Sequence, residues 1–152
     1  MFTVKKFAAR ASVIGAVAAA GAIAAASTAT AATSVPLSPI VTVGHGSSTG
    51  PAICGGWIDV TAHPGDSSVY GTNSVTLTTH FAGITKLCTV DGTLKWNNLD
   101  TGASGTKDWW LLGYDGPHAP TAVYFTPGAG RVSIEITATT PNVPSRGEIT
   151  AP

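Results

Sequence analysis

The sequence VSIEITAT, at residues 132–139, alternates apolar and polar side chains with a period of two. The apolar positions run from Val132 to Ala138, and the polar positions run from Ser133 to Thr139. Successive side chains of a β-strand point to opposite faces of a sheet. The stretch therefore predicts a strand with one buried face and one exposed face.

The sequence LCTVDGTLKWN, at residues 87–97, shows the same alternation. The predicted inner face of this strand carries Cys88, Val90, Leu94 and Trp96, with a gap at Gly92. Polar side chains fill the opposite face. The cysteine and the tryptophan are thus expected to point into one core.

Further runs of this kind, separated by turns rich in Gly, Pro, Asn and Asp, predict seven or eight strands. They occupy residues 40–43, 57–62, 74–81, 87–97, 107–114, 121–126 and 132–139, with a short segment around Ile149. No stretch after residue 32 has the apolar period of a helix, so no helix is available to connect parallel strands. We therefore expect an all-β, antiparallel β-sandwich of two sheets at residues 40–152, after a flexible lead-in at residues 32–39.

Residues 1–31 have the layout of a secretory signal peptide, with a basic segment, an apolar Ala-rich run and a stretch of small residues. The apolar run, at residues 11–26, is shorter than the roughly 20 residues of a membrane span, which disfavours a permanent anchor. Small side chains at Ala29 and Ala31 predict cleavage after Ala31, with Ala32 as the alternative. We expect a secreted protein whose mature part has no membrane span and is at most loosely associated with the cell envelope.

Beyond residue 31 the chain carries five basic and eight acidic residues, a net charge of −3. This balance provides no basic surface for nucleic acid. A mature chain of about 120 residues corresponds to a single domain. A sandwich of that size has little depth for the cleft that glycoside hydrolysis needs between two carboxylates.

Cys54 and Cys88 are the two cysteines of the chain. An even number of cysteines in an exported chain favours a disulfide, and two cysteines allow one intramolecular pairing. Cys54 shares the parity of the predicted inward residues Ile58 and Val60. A reactive thiol or a pair of metal ligands is the alternative, but neither cysteine lies in a CxxC motif or has a His close in sequence.

A family resemblance rests on Cys54, Cys88, Trp96, the segment at residues 94–98 and the closing strand at residues 132–139. In these features the chain resembles small exported bacterial domains with an immunoglobulin-like β-sandwich. It departs from immunoglobulin domains in having Trp96 after the second cysteine, and Lys86 where such domains carry a Tyr. The resemblance implies a fold but no activity, because such sandwiches host unrelated functions.

The tryptophans are the most informative feature for function. Trp57 falls on the outward side of its predicted strand. Trp109 and Trp110 are adjacent, so they point to opposite faces, and the pair Leu111–Leu112 leaves open which one is exposed. Exposed indoles commonly mark recognition surfaces, and they can stack on sugar rings.

The candidate ligand-binding residues are therefore Trp57, Trp109, Trp110 and Tyr114. The alternative is that Pro-rich loops or the lead-in cover Trp57 and one residue of the adjacent pair.

No catalytic residue, metal ligand or cofactor is predicted. The sequence GSSTG at residues 46–50 matches the motif G-x-S-x-G, but Pro51 follows where the motif requires a helix. The four histidines are dispersed and form no metal-binding motif.

The leading hypothesis is a non-catalytic extracellular or cell-envelope binding module of unknown ligand, either a cell-wall or other polysaccharide or a protein partner. One alternative is a carbohydrate-binding domain with at least two exposed aromatic residues on one face. The other is a small secreted hydrolase, which needs a His and a carboxylate in hydrogen-bond contact within a cleft. A secreted enzyme inhibitor that presents the loop at residues 113–120 is considered together with the hydrolase as this second alternative.

Overall fold

The computed structural model describes residues 33–45, 54–66, 72–83, 88–113 and 120–152. Contacts divide the chain into two units, Met1–Thr30 and Ala31–Pro152, and every described residue belongs to the second unit. The predicted signal peptide, the motif at residues 46–50, Tyr114 and most of the loop at residues 113–120 lie outside the described residues.

Strands account for most of the described residues, and none of these residues is helical. The strands are β1 (Val35–Pro36), β2 (Ile40–Val43), β3 (Cys54–Asp66), β4 (Thr72–Gly83), β5 (Cys88–Asn98), β6 (Ser104–Gly113), β7 (Thr121–Phe125), β8 (Gly130–Ala138), β9 (Asn142–Val143) and β10 (Ser145–Ala151). The eight segments expected from the alternation all form strands, and β1 and β9 are additional.

The strands form two antiparallel sheets. The larger sheet has six strands in the order β7-β4-β3-β2-β9, and β1 also pairs with β3. The smaller sheet has four strands in the order β10-β8-β5-β6. The all-β, antiparallel, two-sheet architecture expected from the sequence is thus confirmed.

The core contains the apolar side chains that the alternation assigned to the inner faces. In β8, the four apolar residues from Val132 to Ala138 are all buried. In β5, Val90 and Leu94 are fully buried, and Trp96 packs against the core. Because the two sheets each contribute one apolar face, burial of these faces holds them together.

The segment predicted as a flexible lead-in contains the short strand β1. Val35 and Pro36 pair with Ala62 and Thr61 of β3. Leu37 donates its N–H to the carbonyl oxygen of Val60 at 2.9 Å, and its side chain packs against the core.

Residues 142–151 join both sheets. Asn142 and Val143 form β9, which pairs with Thr42 and Val41 at the edge of the larger sheet. After Pro144 the chain continues as β10, which pairs with β8 in the smaller sheet along seven residues. A single stretch of chain therefore closes one corner of the sandwich.

The predicted disulfide between Cys54 and Cys88 is present. Cys54 begins β3 in the larger sheet, and Cys88 begins β5 in the smaller sheet. Both residues are buried, so the covalent link lies between the sheets, as the inward parity of both cysteines predicted.

Gly44 lies directly against this disulfide. It donates its N–H to the carbonyl oxygen of Cys54 at 3.0 Å, and the next residue, His45, exchanges two backbone hydrogen bonds with Thr89. The chain thus passes from β2 to the smaller sheet beside the two sulphur atoms. A Cβ atom at this position would lie 2.8 Å from Cys54 Sγ and would overlap Cys88 Sγ.

Asn98, the last residue of β5, forms hydrogen bonds to two loops. It is fully buried, and its Nδ2 donates to the carbonyl oxygens of Pro127 and Ala129 at 3.0 and 2.9 Å. Its Oδ1 accepts the backbone N–H groups of Asp100 and Thr101, both at 3.0 Å. These bonds join the β5–β6 turn to the β7–β8 connection.

Asp100 adds an ion pair to the same corner. Its carboxylate accepts the backbone N–H of Arg131 at 2.8 Å and the guanidinium Nε of Arg131 at 3.1 Å. The backbone hydrogen bond, followed by the side-chain bond, holds the pKa of Asp100 below its ordinary value of 3.8.

We predict that Gly44→Ala destabilises the domain because the added methyl group has no space beside the two sulphur atoms. The free energy of unfolding should fall by about 1–3 kcal/mol, the usual range for overpacking a core. Urea unfolding monitored by tryptophan fluorescence measures this change.

The matched control is the same substitution in a Cys54→Ala/Cys88→Ala background. Without the sulphur atoms the nearest remaining contact is the carbonyl oxygen of Thr89 at 3.1 Å, so the effect should shrink to less than about 1 kcal/mol. An equal loss in both backgrounds would show that something other than the disulfide excludes a side chain at Gly44.

Candidate functional site

Trp57 lies on the outer face of the larger sheet, as its parity predicted. It is 48% exposed. Its direct cross-strand neighbours are Val41 on β2 and His80 on β4. The indole and imidazole rings stack with their centroids 5.0 Å apart and their planes within 10°.

Exposed apolar side chains continue this row toward the edge of the sheet. Val143 pairs with Val41, and both valines are more than half exposed. Val43, two residues further along β2, points to the same side and is 49% exposed. We call the surface formed by Val41, Val43, Trp57, His80 and Val143 the Trp57 face.

His80 also contacts a carboxylate, since its Nε2 lies 2.8 Å from Asp59 Oδ2. This distance meets one requirement of the hydrolase hypothesis, a His and a carboxylate in hydrogen-bond contact. Both side chains are partly exposed on the outer side of the sheet. An outer sheet face is not the cleft that the hypothesis also requires.

Trp109 points inward and is 5% exposed. Its cross-strand neighbour is Gly92, and its ring occupies the gap that this glycine leaves in β5. A Cβ atom at Gly92 would lie 2.8 Å from Cε2 of the indole. Trp109 is therefore almost fully buried, which leaves little of its ring for contact with a ligand.

Trp110 points outward from the smaller sheet and is 59% exposed. It borders a cavity of about 540 Å³, which is also lined by Asp91, Gly92, Thr93, Asp108, Trp109 and Thr139. We call this set of seven residues the Trp110 groove. Its volume lies within the range of small-ligand sites.

The polar groups of the Trp110 groove are held by hydrogen bonds. Thr139 donates its hydroxyl to Asp91 Oδ2 at 2.9 Å, and Thr93 donates its hydroxyl to Asp108 Oδ1 at 3.2 Å. His45 Nε2 is 3.8 Å from Asp91 Oδ1. Each carboxylate therefore has a fixed orientation and retains acceptor sites for a ligand.

The two exposed tryptophans lie on different sheets. Trp57 is on the outer face of the larger sheet, and Trp110 is on the outer face of the smaller one. They do not form the single face with two exposed aromatic residues that the carbohydrate-binding hypothesis requires.

Tyr124, on the same outer face as Trp57, is 39% exposed and was not singled out from the sequence.

A second cavity, of about 490 Å³, lies along the same outer face as the Trp110 groove. Its lining includes Lys95, Glu135 and Arg146, which are direct cross-strand neighbours. Arg146 Nε donates to Glu135 Oε2 at 2.7 Å. Because Lys95 is two residues beyond Thr93 on β5, the two cavities form one polar strip.

The described residues contain no group of three His, Cys, Asp or Glu side chains placed to hold a metal ion. In the same part of the chain, no helix has the length and apolar character to cross a membrane.

No protein-family model matches the chain, and neither a curated protein nor a solved structure matches it.

We predict that the indoles differ in their access to a neutral quencher according to these positions. Trp110→Phe should give the largest decrease in the fraction of fluorescence that acrylamide quenches, because Trp110 is the most exposed tryptophan. Trp109→Phe should raise that fraction, because this buried ring contributes emission that acrylamide does not quench. The reverse order would contradict the inward placement of Trp109.

Proposed function

We propose that the protein is an exported, non-catalytic binding module that holds a glycan in the Trp110 groove. One observation carries this proposal: an indole that is 59% exposed borders a cavity of about 540 Å³ whose lining includes two carboxylates and two hydroxyls. An apolar flat surface beside a few fixed polar groups is the usual composition of a small-ligand site.

The chemistry of the groove suits a sugar. The indole of Trp110 offers a flat apolar surface for the C–H face of a pyranose ring. Asp91 and Asp108 each have lone pairs that are not used by the Thr139 and Thr93 hydroxyls, and these can accept hydrogen bonds from sugar hydroxyls. Hydrogen bonds to ionised acceptors are stronger than those between neutral groups.

The charge of the groove narrows the class of glycan. Two carboxylates flank Trp110, and the two nearest donors to them are neutral hydroxyls. An anionic sugar would be repelled by these carboxylates, whereas a neutral or amino-bearing sugar would not. We therefore assign a neutral glycan or an amino glycan to the site.

The polar strip beyond the groove accommodates more than one sugar ring. The strip follows β5 from Asp91 to Asn97, and six residues of strand span about 20 Å. This length suits a short oligosaccharide that runs along the outer face of the smaller sheet, with its end ring stacked on Trp110.

Export and an immunoglobulin-like relationship are parts of the same proposal. The buried disulfide supports export, because disulfides persist in oxidising compartments. The order β10-β8-β5-β6 corresponds to G-F-C-C′ in an immunoglobulin variable domain, which supports the relationship. In the larger sheet β4 occupies an additional position between β3 and β7.

We predict that the purified protein binds a soluble neutral oligosaccharide of several rings and that Trp110→Ala weakens this binding. The loss should be about tenfold to a hundredfold in Kd, as expected for removal of a central aromatic anchor. Isothermal titration calorimetry with a panel of neutral, amino-bearing and anionic oligosaccharides measures it.

The matched control is Trp57→Ala, which removes an indole of similar exposure from the other sheet. It should leave the affinity for a soluble oligosaccharide unchanged. Binding that is lost equally in both variants, or that is limited to anionic sugars, would contradict the site. Binding of simple amines that weakens steeply with salt would instead identify a cation site formed by the indole and the two carboxylates.

We also predict that protein recovered from culture fluid begins at Ala32 or Thr33, because the predicted signal peptide ends at Ala31 or Ala32. N-terminal sequencing measures this. An intact N-terminus starting at Met1 in protein from the medium would contradict cleavage.

A further inference from the structure

The two carboxylates of the Trp110 groove flank its exposed indole. Asp91 is the direct cross-strand neighbour of Trp110, and Asp108 precedes Trp110 by two residues on β6. Direct neighbours, and residues two apart on a strand, point to the same side of a sheet. The three side chains therefore lie together on the outer face of the smaller sheet, and all three line the cavity of about 540 Å³.

No fixed cation neutralises these carboxylates within the described part of the chain. In that part the ion pairs of arginine are with Asp100 and Glu135. Neither Asp91 nor Asp108 forms an ion pair there with a lysine or an arginine. His45 Nε2 lies 3.8 Å from Asp91 Oδ1, but the imidazole is charged only when it is protonated. The groove therefore holds two like charges that a bound cation would stabilise.

The spacing of the two carboxylates suits a single ammonium group. Asp91 pairs with Trp110 and Thr93 pairs with Asp108, so the two acids are diagonal neighbours across β5 and β6. Diagonal neighbours are separated by about 7–8 Å, so both carboxylates can reach an ammonium group placed between them. Each carboxylate accepts one threonine hydroxyl and keeps lone pairs for further N–H donors.

The indole adds a third contact for the same group. A cation within about 6 Å of the centre of an indole ring is attracted to the face of the ring. Trp110 is next to both carboxylates and is 59% exposed, so its ring is accessible. A protonated amine gains from all three groups, whereas a neutral acetamido group lacks the charge on which these attractions depend.

The sugar ring brings the amine to this position. An equatorial amino group projects from the rim of a pyranose ring. When the C–H face of that ring stacks on Trp110, the amino group lies at the rim of the indole, beside the carboxylates that flank it.

We infer that the Trp110 groove selects an amino glycan over a neutral glycan and holds the protonated amine of the stacked ring between Asp91 and Asp108. This selectivity rests on the glycan-binding function proposed above. It narrows the ligand class to sugars that carry a primary amine.

Isothermal titration calorimetry with the hexamer of glucosamine and the hexamer of N-acetylglucosamine tests this selectivity. The two probes share a backbone and differ in whether each nitrogen can be protonated. At a pH of about 6, where aspartate carboxylates are ionised, the glucosamine hexamer should bind about tenfold more tightly, since two exposed ion pairs and one cation–π contact correspond to about that factor. Added salt should reduce the difference.

Asp91→Asn and Asp108→Asn should each reduce the difference between the two hexamers to about threefold, because each removes one ion pair. Retained binding of the N-acetylglucosamine hexamer and an unchanged near-ultraviolet circular dichroism spectrum show that each variant is folded. The matched control is Asp59→Asn, which removes the same charge from the outer face of the larger sheet and should leave the difference unchanged.

Equal affinity for the two hexamers, or tighter binding of the N-acetylated one, overturns the selectivity but not the glycan site. A preference that both Asp91→Asn and Asp108→Asn retain in full also overturns it, because the amine is then bound elsewhere. Binding of another oligosaccharide of the panel, but of neither hexamer, overturns the selectivity alone. If no oligosaccharide binds, the glycan-binding function fails and the selectivity fails with it.

Discussion

The contact between Gly44 and the Cys54–Cys88 disulfide is the constraint on which the rest of the sandwich depends. The disulfide fixes the first residue of β3 to the first residue of β5, and so fixes one sheet to the other. Gly44 lets the chain pass beside the two sulphur atoms and reach Thr89 through His45. With the sheets joined at this corner, their apolar faces close on each other over the length of the strands.

The register of the strands then decides which side chains remain outside. Gly92 leaves space on the inner face of β5, and Trp109 fills it, so its neighbour Trp110 must point outward. The larger sheet presents an outer face with an exposed apolar row around Trp57, and the smaller sheet presents a polar one with two cavities. The two outer faces of the domain therefore differ in chemistry.

Alternation along single strands predicted the eight main strands and the inner faces, because each depends on a period of two. The disulfide was predicted because the chain has two cysteines and is expected to be exported, and both cysteines have inward parity. The short strands β1 and β9 could not be predicted from alternation, since two residues show no period. Pro36 lies in β1 and Pro144 follows β9, and proline is not typical of strands. Because Leu111 and Leu112 are adjacent and both apolar, parity could not decide whether Trp109 or Trp110 points inward. Gly92, an inward glycine opposite Trp109, was the sequence signal that favoured the inward orientation of Trp109. The contact of His80 with Asp59 required the register between β3 and β4, which no single strand specifies.

The stretch at residues 142–151 has a consequence for how the domain is made. It supplies the partner of β2 in one sheet and of β8 in the other, so one side of each of these two strands stays unpaired until these residues have left the ribosome. Pairings between such distant parts of a chain form slowly. Folding of this domain therefore cannot be completed before these residues are available. Until then β2 and β8 each have a bare edge, and bare strand edges are prone to aggregate.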